Sequence, residues 1–112
     1  MNSQNRKQAI AAYKDRKPAY GLYAVICNAT GQVWVGISRH VDTQQNGLWF
    51  ALRQGNSLNK TLQAAWISHG EGEFRFEELD RLSEDYSELT RMDELKQRQK
   101  LWLMRLQARS LL

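Results

Sequence analysis

The sequence predicts an α+β domain, a small three-stranded sheet with helices around it. Two observations carry most of that prediction. Residues 21–38, GLYAVICNATGQVWVGIS, are two β-rich apolar runs separated by turn residues, and 73–77 alternates with period two. Between and after these runs lie segments whose apolar residues recur at helical spacing. With 112 residues and 42% hydrophobic content, the chain can bury the core of one domain.

The elements follow in order. Residues 3–16 read as a helix, with Ser3 as a possible cap, Ala9, Ile10, Ala12 and Tyr13 at partial helical spacing, and Pro18 as its stop. This predicts an N-terminal helical extension over 1–19 ahead of a domain that begins at residue 20. Asn28-Ala29-Thr30-Gly31 supplies the hairpin turn. Segment 42–55 turns apolar at Leu48, Trp49, Phe50 and Leu52 and stops at Gly55, which predicts a helix. Ser57 is a good N-cap for a second helix carrying Leu58, Leu62, Ala65 and Trp66, ended by His69-Gly70. Glu73 to Glu77 predicts the third strand. A helix opening near Thr90, with Asp93 three residues on, closes the chain.

A tight turn at 28–31 pairs Cys27 with Gln32, and so Tyr23 with Gly36 and Val25 with Trp34. Alternation then divides the hairpin into two faces. Leu22, Ala24, Ile26, Val33, Val35 and Ile37 form an aliphatic face expected in the core. Tyr23, Val25, Trp34 and Gly36 form the other, where a bare glycine beside a phenol suggests open space over the ring.

Charge excludes some functions and favours others. A single cysteine, Cys27, rules out an internal disulfide and a cysteine-based zinc site. No apolar run has membrane-spanning length, and the polar start MNSQNRKQ has no signal-peptide apolar segment, which points to a soluble, cytoplasmic protein. The net charge of +4 is segregated. Residues 71–95 hold ten acids against three arginines, whereas 96–112 carry five basic residues and no acid. Such asymmetry fits a polyanion on one side, with the acidic segment turned away.

The residues resemble the GIY-YIG nuclease family. Gly21-Leu22-Tyr23 and Trp34-Val35-Gly36 look like the two halves of its motif at the usual short spacing. The likeness continues through His40 to Trp66, through Gly70, Phe74 to Glu77 and Leu79, and through Leu95 to Leu103, covering roughly 20–106. The resemblance implies a three-stranded antiparallel sheet flanked by helices, with the domain running on to the C-terminus as one unit. It also implies hydrolysis of DNA phosphodiesters. A tyrosine of the first motif acts as general base, directly or through water. An arginine steadies the phosphate, and a single glutamate holds one Mg²⁺ or Mn²⁺.

Carried over residue by residue, Tyr23 matches the first tyrosine, and Gly21 and Gly36 match the motif glycines. Trp34 replaces the second tyrosine, and an indole N–H donates but accepts no proton. The family arginine falls at Gln44 to Gly47, leaving Arg39 or Arg53 as substitutes, and the histidine one turn later falls at Leu48. His40 and His69 lie near helix ends. In the last helix, Met92, Leu95, Gln99, Trp102 and Leu106 share one stripe. Gln99 stands where the resemblance places the metal-binding glutamate, and a neutral amide is a poor ligand for a hard cation. Glu94 points elsewhere on the helix.

Three functions follow. The first is an active, metal-dependent endonuclease with relocated arginine and acid. The second is a nucleic-acid-binding domain with a degenerate site, DNA rather than RNA, using Lys60, Lys96, Arg98, Lys100, Arg105 and Arg109. The third is a protein–protein module, supported only by the acidic 71–95 segment.

Overall fold

A computed structural model of the protein describes residues 18–111. The helix expected over 3–16, and with it most of the 1–19 extension, lies outside them. Strands β1 (Gly21–Cys27) and β2 (Val33–Ser38) form the antiparallel hairpin. Its register is the one the turn dictates, with Tyr23 opposite Gly36 and Val25 opposite Trp34. The turn closes through Cys27 N–H donating to Gln32 O at 2.9 Å and Gly31 N–H to Cys27 O at 2.8 Å.

Helices α1 (Gln44–Arg53) and α2 (Lys60–His69) come next, then strand β3 (Phe74–Arg81), helix α3 (Glu88–Leu106) and a two-residue strand β4 (Arg109–Ser110). The strand order is β3-β1-β2-β4. Strand β3 runs antiparallel to β1 and continues four residues past Glu77, across a register shift at Leu22/Tyr23.

The sheet thus has four strands where the sequence predicts three, and β4 is parallel to β2. The physical cause is the edge that β2 would otherwise leave open. Gln107 ends α3 in the left-handed conformation (φ 51°), so the chain reverses. Leu111 N–H then donates to Val35 O at 3.0 Å.

Two helix starts also differ. Helix α2 begins after Asn59 rather than Ser57, because Asn59 Oδ1 accepts both Leu62 N–H (2.9 Å) and Thr61 Oγ1–H (2.7 Å). Ser57 is used differently, its N–H donating to Gln63 Oε1 at 3.1 Å, and Leu58 is left fully exposed. Helix α3 begins after Ser87, whose hydroxyl accepts Thr90 N–H, so Thr90 lies inside the first turn. Asn59→Ala is expected to lower stability by about 1 kcal/mol, read as a shift in the urea midpoint.

Both faces of the sheet are covered, unequally. The aromatic face carries the larger core, where Tyr23, Val25 and Trp34 pack under Trp49 and Leu52 of α1 and Leu62 and Trp66 of α2. The aliphatic face meets α3 through Leu22, Leu82 and Leu95, with Ile37, Leu79 and Trp102 alongside. That face is core only in part. Ile26 and Val33 are half-buried and border an open recess of about 550 Å³ that Leu79, Trp102 and Leu106 also line. No helix among the described residues is long and apolar enough to cross a membrane.

Candidate functional site

The two motif glycines are fixed by what lies where their side chains would be. A Cβ on Gly21 would sit 2.3 Å from Asp80 O of the neighbouring strand. A Cβ on Gly36 would sit 2.4 Å from both Cζ and Oη of Tyr23. Gly36 therefore does not leave open space over the phenol; the phenol itself fills it. The opposite face of Tyr23 stacks on Phe76, centroids 5.1 Å apart and planes 14° from parallel. The ring is held in a slot one residue wide, and Tyr23 is only 5% exposed.

Its hydroxyl end meets the first residue of α1. Gln44 hydrogen-bonds the phenol, and Gln44 Oε1 accepts from Ser38 Oγ at 2.7 Å. Ser38 Oγ in turn accepts His40 N–H at 3.0 Å, which fixes the β2–α1 junction. Tyr23, Gln44, Leu48, Asn56, Asn59 and Leu111 are among the residues lining a recess of about 250 Å³. Among the described residues its polar groups are neutral, and none of them brings a guanidinium, ammonium or carboxylate to it.

Burial is the largest influence on the Tyr23 phenol and raises its pKa above the ordinary 10.0; the Gln44 hydrogen bond opposes this without cancelling it. A phenol that holds its proton more tightly is a weaker general base at neutral pH. The sign for stability follows. A folded-state pKa raised above the unfolded one contributes stability that is intact below the unfolded value and lost as pH rises through the folded value. Tyr23→Phe is therefore expected to lessen the alkaline fall in stability, measured as urea midpoints at neutral pH and near pH 11.

Trp34 is 0% exposed. Its one polar atom, Nε1–H, donates to Thr61 Oγ1 at 3.0 Å, which ties β2 to the first turn of α2. The indole is thus a structural tie with no access to solvent. Around the position of the family arginine, Gln44 lines the recess, Gln45 and Asn46 are exposed, and Leu48 packs against the core.

Gln99 is the one polar residue buried along the inner face of α3, 7% exposed. Its Nε2 donates to Val35 O at 2.9 Å and to Ser110 Oγ at 3.3 Å. The amide therefore joins α3 to two neighbouring strands, β2 and the edge strand β4, and Val35 O accepts from Gln99 and from Leu111 N–H. An amide N–H aimed at a carbonyl is the reverse of what a cation site needs, which is oxygen lone pairs converging on a point. Glu94 is drawn off by Arg98 at 2.8 Å. No group of three or more His, Cys, Asp or Glu able to hold a metal occurs among the described residues. The residues at this position do not fit Mg²⁺ or Mn²⁺.

The predicted cations are not brought together. Arg53 forms a two-pronged pair with Glu71 (2.6 and 2.9 Å) beyond the far end of α1, and its raised pKa comes first from that bond. Arg98 bridges Asp80 and Glu94 at 2.8 Å each and reaches Tyr86 Oη at 3.3 Å, so its donors pin α3 to β3. Arg39 projects over the Tyr20 ring. Lys60, Lys96, Lys100, Arg105 and Arg109 are exposed. His40 and His69 are exposed as well, and neither lines the recess. Sequence reasoning missed Leu111 as part of the recess wall; nothing in the final dipeptide signals that position.

No protein-family model matches the sequence, and no curated protein matches it significantly. Two solved structures do match in fold. One is the catalytic domain of homing endonuclease I-TevI, at 18% identity and TM-score 0.66, over 83% of this chain and 98% of that one. The other is a point mutant of the catalytic domain of intron endonuclease I-TevI, at 19% identity and TM-score 0.65, over 80% and 84%. The chain has the fold of a GIY-YIG endonuclease catalytic domain.

Proposed function

We propose that this domain binds DNA on a nuclease fold and has lost, or nearly lost, hydrolysis by the metal-dependent route. The observation that carries the proposal is Gln99: its amide hydrogen points at Val35 O, so the side chain that the family resemblance puts at the metal ligand's position is engaged in a structural hydrogen bond. Losing a sole metal ligand removes both charge neutralisation and water activation. The fully buried Trp34 and the proton-retaining Tyr23 weaken the remaining catalytic parts in the same direction. Nucleic-acid binding draws support from the endonuclease fold and from the exposed Lys60, Lys96, Lys100, Arg105 and Arg109.

Fluorescence anisotropy of labelled duplex and branched DNA over a salt series tests this directly. Affinity is expected to fall steeply as salt rises, since each phosphate contact releases a counterion. Absence of binding, or binding indifferent to salt, would contradict it.

A second reading, an active nuclease, is favoured by one specific observation. The Tyr23 phenol still ends at a recess of about 250 Å³ with hydrogen-bonding groups around it. That reading requires a cation and an acid supplied from elsewhere on the domain.

A further inference from the structure

The proposed nucleic-acid function rests on scattered surface charge, but one group of cations is built. Tyr20 precedes β1 and Arg39 follows β2, one step beyond the Gly21–Ser38 pair. By alternation both lie on the side of the sheet that α3 covers. Arg91, in the first turns of α3, places its Cζ 4.1 Å from the centroid of the Tyr20 ring, and the Cζ of Arg39 is 5.9 Å from the same centroid. The ring itself packs against the Leu22, Leu82 and Leu95 cluster, which fixes it. Arg91 is steadied by donating to Tyr86 O at 3.2 Å.

Two guanidiniums gathered around one phenol repel each other unless a negative charge joins them. Neither forms an ion pair with a carboxylate among the described residues, in contrast to Arg53, Arg75, Arg81 and Arg98, which all do. Glu84 is the acidic residue lining the adjoining recess of about 260 Å³, with Pro18, Leu82, Ser83 and Arg91.

We propose that Tyr20, Arg39 and Arg91 form a phosphate clamp that grips a phosphodiester of a nucleic-acid backbone, on the face of the sheet opposite the Tyr23 recess. The clamp rests on the DNA-binding reading above for its ligand, though not for its anion chemistry. Guanidiniums offer paired N–H donors matched to phosphate oxygens, and a phenol adds a third donor. The state of the Tyr20 phenol agrees with a site poised for negative charge. Burial pushes its pKa up, yet the hydrogen bonds and charges of Arg39 and Arg91 outweigh that and leave it below the ordinary 10.0.

That same competition supplies the test. Phosphate bound between the arginines removes what stabilises the phenolate, so the Tyr20 ionisation is expected to move to higher pH when inorganic phosphate replaces chloride at equal ionic strength. The ionisation is followed by phenolate absorbance as wild type minus Tyr20→Phe. The shift is expected to vanish in Arg39→Gln/Arg91→Gln, with circular dichroism confirming that the variant folds. The double variant is also expected to bind duplex DNA about tenfold more weakly, with a salt slope shallower by about one. No phosphate-dependent movement of the Tyr20 titration overturns the clamp, whatever DNA does. Movement with phosphate in a protein that binds no DNA sinks the DNA-binding reading, and with it the assignment of the ligand, while retaining an anion site. DNA binding with an unchanged salt slope in the double variant overturns the clamp's part in that binding.

Discussion

Gly36→Ala is expected to lower stability by about 2–3 kcal/mol, more than a methyl group does at most surface positions. The added Cβ would lie 2.4 Å from the Tyr23 ring. On a free surface a ring could swing aside, but here Phe76 stacks on the opposite face and the side chain is almost wholly buried. Movement must therefore propagate into the packing of Trp49, which meets Phe76 edge-on at 6.0 Å. Thermal unfolding measures the loss. Tyr23→Leu in the same chain offers a check, because the smaller side chain frees the slot. The two changes together are expected to be less damaging than the sum of each alone.

Gln99→Glu would restore the side chain that the family resemblance implies, yet the expected result is damage rather than rescue. The introduced carboxylate would face Val35 O, exchanging a donor for a second acceptor in a buried position. Leaving an unpaired charge there costs about 3 kcal/mol at neutral pH. The group escapes by keeping its proton, so its folded pKa rises. By the same sign rule as for Tyr23, the variant is expected to be closest to wild type in acid and to weaken as pH rises through that folded value. Gln99→Met keeps the shape and loses only the donor; Val35 O still accepts from Leu111 N–H, so a loss of about 1 kcal/mol is expected. A ranking of methionine above glutamate in urea midpoint at neutral pH supports the structural role of the amide. The opposite ranking would contradict it.

Much of the arrangement was legible in the sequence, and the exceptions have physical causes. The hairpin register followed from one turn because pairing propagates rigidly from it, and α2 followed from the spacing of Leu62, Ala65 and Trp66. Ser57 and Thr90 are as good capping residues as Asn59 and Ser87 on chemistry alone, yet it is Asn59 Oδ1 and the Ser87 hydroxyl that accept the first-turn N–H groups of Leu62 and Thr90. Strand β4 was not legible, because Gln107 carries no glycine-like signal of a left-handed turn and two residues are too few for a pattern. The need of Gln99 for a partner could be read from its place on an apolar stripe. The partner's identity could not, since it is a backbone carbonyl on β2 and a hydroxyl on that unforeseen strand. The glycine beside Tyr23 suggested a vacancy; only packing reveals that the tyrosine itself fills it. Arg39 was singled out in the sequence, but its companions Tyr20 and Arg91 lie far apart in the chain.

The most direct measurement is cleavage of supercoiled plasmid and branched DNA with Mg²⁺ or Mn²⁺, scored together with retention of DNA on the protein. DNA retained and uncut by the wild type is the expected result. Metal-dependent cutting that disappears in Tyr23→Phe would contradict it, and would mean that an acid other than Gln99 completes an active nuclease.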